Sequence, residues 1–269
     1  MKKHMSRVMR LLSWCGGLLV TVAVMLCVAA VLGLLLTDTA QAAQTPMVML
    51  RMLPQGIKIL GFTLSTAIAA VLLSFPFSWS LSLIISYFAP HKWRRRLERM
   101  VNGLSAVPAV VFGYMSLSYI VPGADSAWWA VVSTLILMSL MRQTRALVRV
   151  NDRYRTSVEA GKAMGAYIYE TVFQLVLPQV LRRYVAVALR MLARALTEGV
   201  AILLVLSAYS NGADTLATAL MRALGVTGDN AQAGWVLLLA TLMLMLVLLS
   251  NALISATVQG GRHGTNDKK

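Results

Sequence analysis

The sequence predicts an all-α integral membrane protein with six transmembrane helices. Hydrophobic residues make up 58% of the 269 residues and charged residues only 13%, whereas a soluble domain has about 45–50% apolar and about 25% charged residues. Several apolar runs reach the length of about 20 residues that a helix needs to cross a bilayer core of about 30 Å. The basic residues are concentrated in the short segments between these runs. Together these observations exclude an ordinary soluble domain.

Six apolar segments are predicted to span the membrane. They comprise residues 11–36, 59–90, 101–121, 126–141, about 183–207 and a stretch within 234–258. Pro76 is expected to kink or break the second span because proline donates no backbone hydrogen bond. Residues 39–43 are similar to a small-residue cleavage site, but the run before them is much longer than the core of a signal peptide. We therefore favour a retained first helix over a cleaved one.

These segments divide the chain into three parts. Residues 1–55 are expected to contain an amino-terminal cytoplasmic tail, the first transmembrane helix and an extracytoplasmic linker. Residues 56–258 are expected to form the main transmembrane domain. Residues 259–269 are expected to form a disordered cytoplasmic tail.

The distribution of positive charge predicts the orientation. The formal net charge is +15, and 20 of the 25 Lys and Arg residues lie in the two tails, in the loop after the second span and in residues 142–183. Short loops rich in Lys and Arg face the cytoplasm, so both termini and residues 142–183 are expected there. We interpret the charge as a determinant of topology and not as a nucleic-acid-binding surface.

Residues 159–178, E-A-G-K-A-M-G-A-Y-I-Y-E-T-V-F-Q-L-V-L-P, stand out within this cytoplasmic region. Gly165 can adopt a positive φ and so allow a tight bend between two short helices. Pro178 is expected to stop or redirect the chain before the fifth span. Two apolar stripes are expected, from the residues Ala160, Ala163 and Met164 and from the residues Ile168, Val172, Leu175 and Val176. The residues alone leave two readings open: a docking element for a soluble partner, or an amphipathic loop on lipid headgroups.

The spacing of this segment resembles the EAA motif of ABC importer permeases. That motif reads E-A-A, three residues, G, nine residues, I-x-L-P, and this chain has Gly161 for the second Ala and Leu175 for the Ile. The resemblance implies a coupling helix that enters a groove on a nucleotide-binding subunit. The residues that it assigns to ATPase coupling are Glu159, Ala160, Gly161, Gly165, Leu177 and Pro178.

Further segments are similar to phosphate-importer permeases. They are V-P-A-V-V-F-G at 107–113, M-R-Q-T at 141–144 and R-A-L-T-E at 194–198. The departures from the pattern are Thr197 for Gly, Gly199 for Thr, Arg145 where I-R-T-T continues with Glu, and Ser for several glycines of the second span. The resemblance covers about 56–258 and implies a type I importer permease working by alternating access. It implies as partners nucleotide-binding ATPase subunits, a second permease subunit (identical or homologous) and an extracytoplasmic solute-binding protein.

Charged residues inside the fifth span are candidates for the substrate pathway. Arg190, Arg194 and Glu198 follow one another at intervals of four residues and should share one helix face. One Glu cannot neutralise two Arg, and Arg142 at the end of the fourth span could add to the excess. Guanidinium groups bind phosphate-like oxyanions by bidentate hydrogen bonds. The alternative is a local Arg194–Glu198 ion pair that only holds helices together.

The remaining residues exclude several other functions. The chain has no G-x-x-x-x-G-K-[ST] loop, so no cofactor is expected in it and ATP-Mg is expected in a partner ATPase. The two Cys lie in the first apolar run and the three His are scattered, so no metal site is expected. The expected function is import of phosphate or a related oxyanion, with tungstate, molybdate, sulfate or phosphonate as alternative solutes. A lipid-modifying membrane enzyme or a purely structural scaffold is disfavoured.

Overall fold

The computed structural model describes residues 45–209, 213–225 and 230–263. In these ranges the chain forms ten α-helices and no strand. The helices are α1 (Thr45–Leu83), α2 (His91–Ser105), α3 (Ala109–Tyr119), α4 (Ala127–Asp152), α5 (Arg155–Ala163), α6 (Ile168–Glu170), α7 (Leu177–Thr197), α8 (Val200–Leu206), α9 (Leu216–Gly225) and α10 (Asn230–His263). A π-helical turn, Ile84–Phe88, follows α1, and another, Thr171–Val176, joins α6 to α7. The predicted first span, 11–36, lies outside the described residues.

Three described helices are long and apolar enough to cross a membrane. They are Leu53–Phe88, Ala127–Asp152 and Ile168–Thr197. The pair Lys92–Ser105 and Ala109–Tyr119 meets at an angle of 86° and adds a fourth crossing if the pair is one broken span. A shorter apolar helical stretch, Leu238–Ala252, lies within α10. The all-α membrane fold is thus confirmed for the described residues, whereas the count of six spans stays a prediction.

The helix breaks do not lie at the prolines for which the sequence predicts them. Of the predicted kink or break at Pro76, the break is wrong, because α1 continues through it, and the kink stays a prediction. Transmembrane helices tolerate Pro when local adjustments satisfy the freed backbone group. The break occurs instead at Pro108, which has an extended backbone with ψ of 144°, since proline disfavours helix in the residue before it. Pro178 neither stops nor redirects the chain, because the π-helical turn runs directly into α7 and the helical span continues from Ile168 to Thr197.

The ends of several segments also differ from the predictions. α1 begins at Thr45, within the predicted linker, because the apolar sequence from there contains no effective helix stop. The fifth span starts at Ile168 and its long helix ends at Thr197, so the predicted span of about 183–207 is displaced. Residues 260–263 of the tail predicted to be disordered are helical, because extending an existing helix fixes one residue for each new hydrogen bond.

Small residues bring α1, α4 and α7 close together. Ala67 and Ala70 of α1 are fully buried in one core with Ala130 of α4 and Ala195 of α7. Without a hydrophobic force between helices in lipid, close packing of small side chains and hydrogen bonds between helices hold such bundles together. Large apolar residues such as Leu72 are exposed on the outer surface, as expected for a face that contacts lipid.

A buried polar seam joins the same helices. Ser74 and Ser78 each donate a hydrogen bond to Gln143 Oε1, at 2.9 and 3.2 Å. One turn further along α1, Ser82 Oγ accepts from Asn151 Nδ2 at 3.2 Å. The Tyr184 hydroxyl of α7 donates to Asn151 Oδ1 at 2.5 Å. These three serines of α1 therefore bond across the helix interface.

The segment 159–178 is anchored to the ends of the long helices. Val158 of α5 and Val172 and Val176 of the π-helical turn are buried in one cluster with Leu83 of α1 and Leu147 of α4. Movement of this segment would therefore be transmitted to both helices through packed side chains.

Candidate functional site

The break between α7 and α8 places Glu198 beside Arg142 of α4. α7 ends at Thr197, and Glu198 has an extended backbone with ψ of 112°. Its Oε1 lies 3.1 Å from Arg142 Nη1 and 3.3 Å from Arg194 Nε. The side chains of Arg142 and Glu198 are 13% and 14% exposed, whereas that of Arg194 is 56% exposed. Glu198 therefore bridges two guanidinium groups from different helices, and we call these three residues the bridged cluster.

The bridged cluster is positively charged but closed. One carboxylate and two guanidinium groups leave an excess of one positive charge. The space among these side chains has a volume of about 10 Å³, about what one water molecule needs. An oxyanion could contact both guanidinium groups only after the Glu198 carboxylate moved away.

Glu198 directly follows the last residue of α7, keeps a helical φ of −71° and pairs with Arg194 four residues earlier. Its extended ψ redirects only the chain that follows it, so Arg194 and Glu198 share the predicted helix face. Gly199, the next residue, is buried, and a Cβ there would lie 2.7 Å from the Met221 side chain of α9. Arg190 is exposed on α7 and does not line the bridged cluster. The local Arg194–Glu198 pair is present together with the pair to Arg142, and the pathway role of all four residues stays a prediction.

Gly113, the last residue of the 107–113 motif, is a position at which two helices come into close contact, and the sequence alone does not predict that contact. A Cβ on Gly113 would lie 2.8 Å from both Cα and the carbonyl oxygen of Ala201 in α8. Phe112 and Met138 are buried against Ala201 in the same small core. A glycine inside an apolar helix was the available sign of such a contact. The contact holds α3, which carries most of the 107–113 motif, against the helix that follows Glu198.

The segment 159–178 turns at Gly165 and exposes a short surface. Gly165 has φ of +89°, as its predicted role requires. Glu159, Ala160 and Gly165 are exposed, as are the predicted stripe residues Ala163 and Met164. The rings of Tyr167 and Tyr169 are stacked with their centroids 5.6 Å apart, and both side chains are exposed. These residues form what we call the coupling surface: Glu159, Ala160, Ala163, Met164, Gly165, Tyr167 and Tyr169.

The other predicted coupling residues lie behind this surface or beside it. Gly161 is buried, and a Cβ there would lie 2.7 Å from the Thr171 side chain, so it allows α5 to pack on the π-helical turn. Leu177 is half-buried and Pro178 is exposed on α7. The predicted stripe is wrong at Leu175, which is exposed, because the wider π-helical turn changes which residues face the core.

Comparisons with known proteins support the resemblance. No family model matches the chain. It is 27% identical over 173 residues to the phosphate transport system permease protein PstC 2 of Mycobacterium tuberculosis and of Mycobacterium bovis, covering 54% of this chain and 53% of theirs. It is 23% identical over 237 residues to PstC of Mycobacterium leprae, covering 74% of this chain and 73% of that protein.

The fold comparison decides the architecture. An inward-facing crystal form of the MetNI methionine ABC transporter superimposes with a TM-score of 0.60 at 16% identity, covering 77% of this chain and 98% of that chain. This chain has the fold of an ABC importer permease. The permease fold confirms the predicted resemblance and places the chain among multi-pass membrane proteins. The chain spans about half the length of the first curated relatives that it matches.

Proposed function

We propose that this chain is a permease subunit of an ATP-driven importer that moves phosphate or a related oxyanion across the cytoplasmic membrane. The observation that carries the proposal is the bridged cluster, in which Arg142 and Arg194 converge on one carboxylate. The similarity to phosphate transport system permeases supports it. Paired guanidinium groups offer the planar, charge-assisted hydrogen bonds that a tetrahedral oxyanion accepts.

In this mechanism Glu198 holds the place of the oxyanion while the pathway is closed. A carboxylate and a phosphate present similar acceptor oxygens, so one can replace the other between the same two arginines. Glu198 lies at a break between helices, so its displacement requires no helix to unwind. Alternating access would bring the oxyanion to Arg142 and Arg194 from one side and return Glu198 after release to the other.

The energy would come from partner subunits that bind ATP-Mg. In this proposal the coupling surface docks into a groove on such a nucleotide-binding ATPase. The buried contacts of Val158, Val172 and Val176 with α1 and α4 would carry the movement into the membrane. A second permease subunit would complete the pathway, an extracytoplasmic binding protein would deliver the solute, and both termini would face the cytoplasm.

The identity of the oxyanion is the finer part of the proposal. Tungstate, molybdate, sulfate and phosphonates are alternative solutes, because paired guanidinium groups recognise the whole class. Competition against radioactive phosphate uptake by each of these anions separates the alternatives. The proposal of phosphate predicts that unlabelled phosphate competes at the lowest concentration.

The test is uptake of radioactive phosphate by the complete complex in proteoliposomes. Arg194→Gln removes one charge-assisted bond of about 1.5–3 kcal/mol, so uptake should fall about tenfold or more. Arg99→Gln is the matched control, since Arg99 is exposed on α2 and its Nε bonds to the Arg95 carbonyl at 3.2 Å. Unchanged uptake by Arg194→Gln at equal protein levels contradicts the proposed role.

A further inference from the structure

A second arginine-lined cavity lies between α2 and α4, nearer to the end of α4 than the bridged cluster. Its polar lining consists of Glu98 and Asn102 of α2 and Arg145, Arg149 and Asp152 of α4. The cavity volume is about 150 Å³, compared with about 10 Å³ at the bridged cluster. This is several times the space that one water molecule needs, so the cavity can hold a small polyatomic ion.

The two carboxylates of the cavity are already paired. Arg94 Nε lies 2.6 Å from Glu98 Oε1, and Arg94 Nη2 lies 2.7 Å from Asp152 Oδ1. Arg94 thus joins the first turn of α2 to the end of α4 and takes up both acidic groups. One oxygen of each carboxylate is thereby paired, and the three cations Arg94, Arg145 and Arg149 exceed the two carboxylates by one positive charge.

The other two arginines have no such partner. Among the residues that the structure describes, neither Arg145 nor Arg149 has a carboxylate oxygen within 4.0 Å. Arg145 Nη1 donates to Ser105 Oγ at 3.0 Å, but its Nε is buried with no hydrogen-bond partner in the described chain. Arg149 is exposed at the rim. A buried charged donor without an acceptor costs more than 1 kcal/mol, so an anionic acceptor is what this cavity lacks.

We propose that Arg145 and Arg149, with the amide of Asn102, bind a phosphate-class oxyanion at this end of α4. The ligand is a phosphate group, carried either by inorganic phosphate or by an anionic phospholipid headgroup. Arginine provides forked donors for phosphate oxygens and Asn102 provides a neutral donor. The density of basic residues assigns this end of α4 to the cytoplasmic side, where both sources of phosphate are present.

The site is independent of the proposed pathway. It shares no residue with the bridged cluster, and it stands whichever solute the chain transports.

The experiment measures phosphate binding by the full-length chain in phosphatidylcholine nanodiscs with isothermal titration calorimetry. Arg149→Gln and Arg145→Gln should each weaken binding of inorganic phosphate by about tenfold or more, from the loss of a charge-assisted bond. Arg99→Gln should retain this binding. Binding that is lost in Arg194→Gln but unchanged in both Arg145→Gln and Arg149→Gln overturns the proposal while supporting the pathway role of Arg194.

A second arm distinguishes the lipid source. In nanodiscs that contain phosphatidylglycerol, native mass spectrometry should show one retained phosphatidylglycerol on the unsubstituted chain and none on Arg149→Gln, if the headgroup is the ligand. Phosphate binding or lipid retention that depends on Arg149 supports the site, and the absence of both overturns it. Arg149 is exposed, so its substitution should leave folding intact, and an unchanged thermal midpoint verifies this.

Discussion

The two arginine clusters on α4 are built from the same chemical groups, yet one is closed and the other is open. In the bridged cluster a single carboxylate, Glu198, lies between Arg142 and Arg194 and leaves about 10 Å³ of space. In the second cavity Arg94 binds both carboxylates, and about 150 Å³ is left beside Arg145 and Arg149. The placement of the acids, and not the number of arginines, decides whether a guanidinium group is available to a ligand.

The physical reason lies in the surroundings of each cluster. Arg142 belongs to an apolar span, where an unpaired charge costs several kcal/mol. A closed carboxylate bridge is therefore the expected resting state there. Arg149 is exposed at the end of the same helix, where water or a headgroup can solvate it, so a carboxylate partner is not required.

The largest expected effect tests the closed cluster by a double-mutant cycle. Arg142→Gln and Glu198→Gln should each lower the free energy of unfolding by about 2 kcal/mol, because each removes the 3.1 Å ion pair between two nearly buried side chains. The double variant should lose less free energy of unfolding than the two single variants lose together. The difference, which is the interaction energy of the pair, should exceed about 0.5 kcal/mol. Unfolding of the purified chain in mixed micelles provides the measurement.

Arg149→Gln is the matched control for this cycle. At an exposed position without a carboxylate partner among the described residues, it should change the free energy of unfolding by no more than about 0.5 kcal/mol. Equal losses in Arg142→Gln and Arg149→Gln would contradict the distinction between a closed and an open cluster.

A pair of glycines extends the comparison to the packing around each cluster. Gly113→Ala should destabilise the chain by about 1–3 kcal/mol, because its Cβ would lie 2.8 Å from the Ala201 backbone, beside the closed cluster. Gly103→Ala on α2, near the open cavity, has nothing within 4 Å of its Cβ. It should stabilise the chain by about 0.5–1 kcal/mol through helix propensity.

Thermal unfolding of the two alanine variants is the measurement, and opposite shifts of the midpoint are expected. A fall of similar size in both would show that glycine flexibility, and not close helix contact, is what these positions require. A neutral Gly113→Ala would mean that α3 can move away from α8 at little cost.

The sequence predicts which charged residues form the site better than it predicts how those residues are arranged. Composition and the length of the apolar runs are enough to predict an all-α membrane fold. The spacing of the 159–178 motif is enough to predict the turn at Gly165. Local rules fail where tertiary contacts decide, as at Pro76, which continues α1, and at Pro108, which breaks the predicted third span. The pairing of Glu198 with Arg142, 56 residues away, depends on how α4 and α7 pack. The sequence indicates both residues as pathway candidates but does not pair them.

The smallest effect on stability is expected at the ion pair between Arg155 and Glu159, which lies on the surface. Arg155 Nε is 2.8 Å from Glu159 Oε1, and the Glu159 side chain is 58% exposed. Exposed pairs of this kind contribute about 0.2–1 kcal/mol, so Glu159→Gln should leave the thermal midpoint nearly unchanged. If Glu159 contacts the ATPase, phosphate uptake and transport-linked ATP hydrolysis should still fall about fivefold or more, for a contact worth about 1 kcal/mol.

Arg155→Gln breaks the same ion pair but keeps the Glu159 carboxylate. It should therefore retain uptake close to that of the unsubstituted complex, while Glu159→Gln does not. Equal falls in the two variants would assign the effect to the ion pair itself, and full uptake in both would remove Glu159 from the coupling surface. The closed cluster, the open cavity and this surface ion pair then form a series of increasing exposure. The cost to stability falls along the series, whereas the effect on transport depends on which partner each charged group contacts.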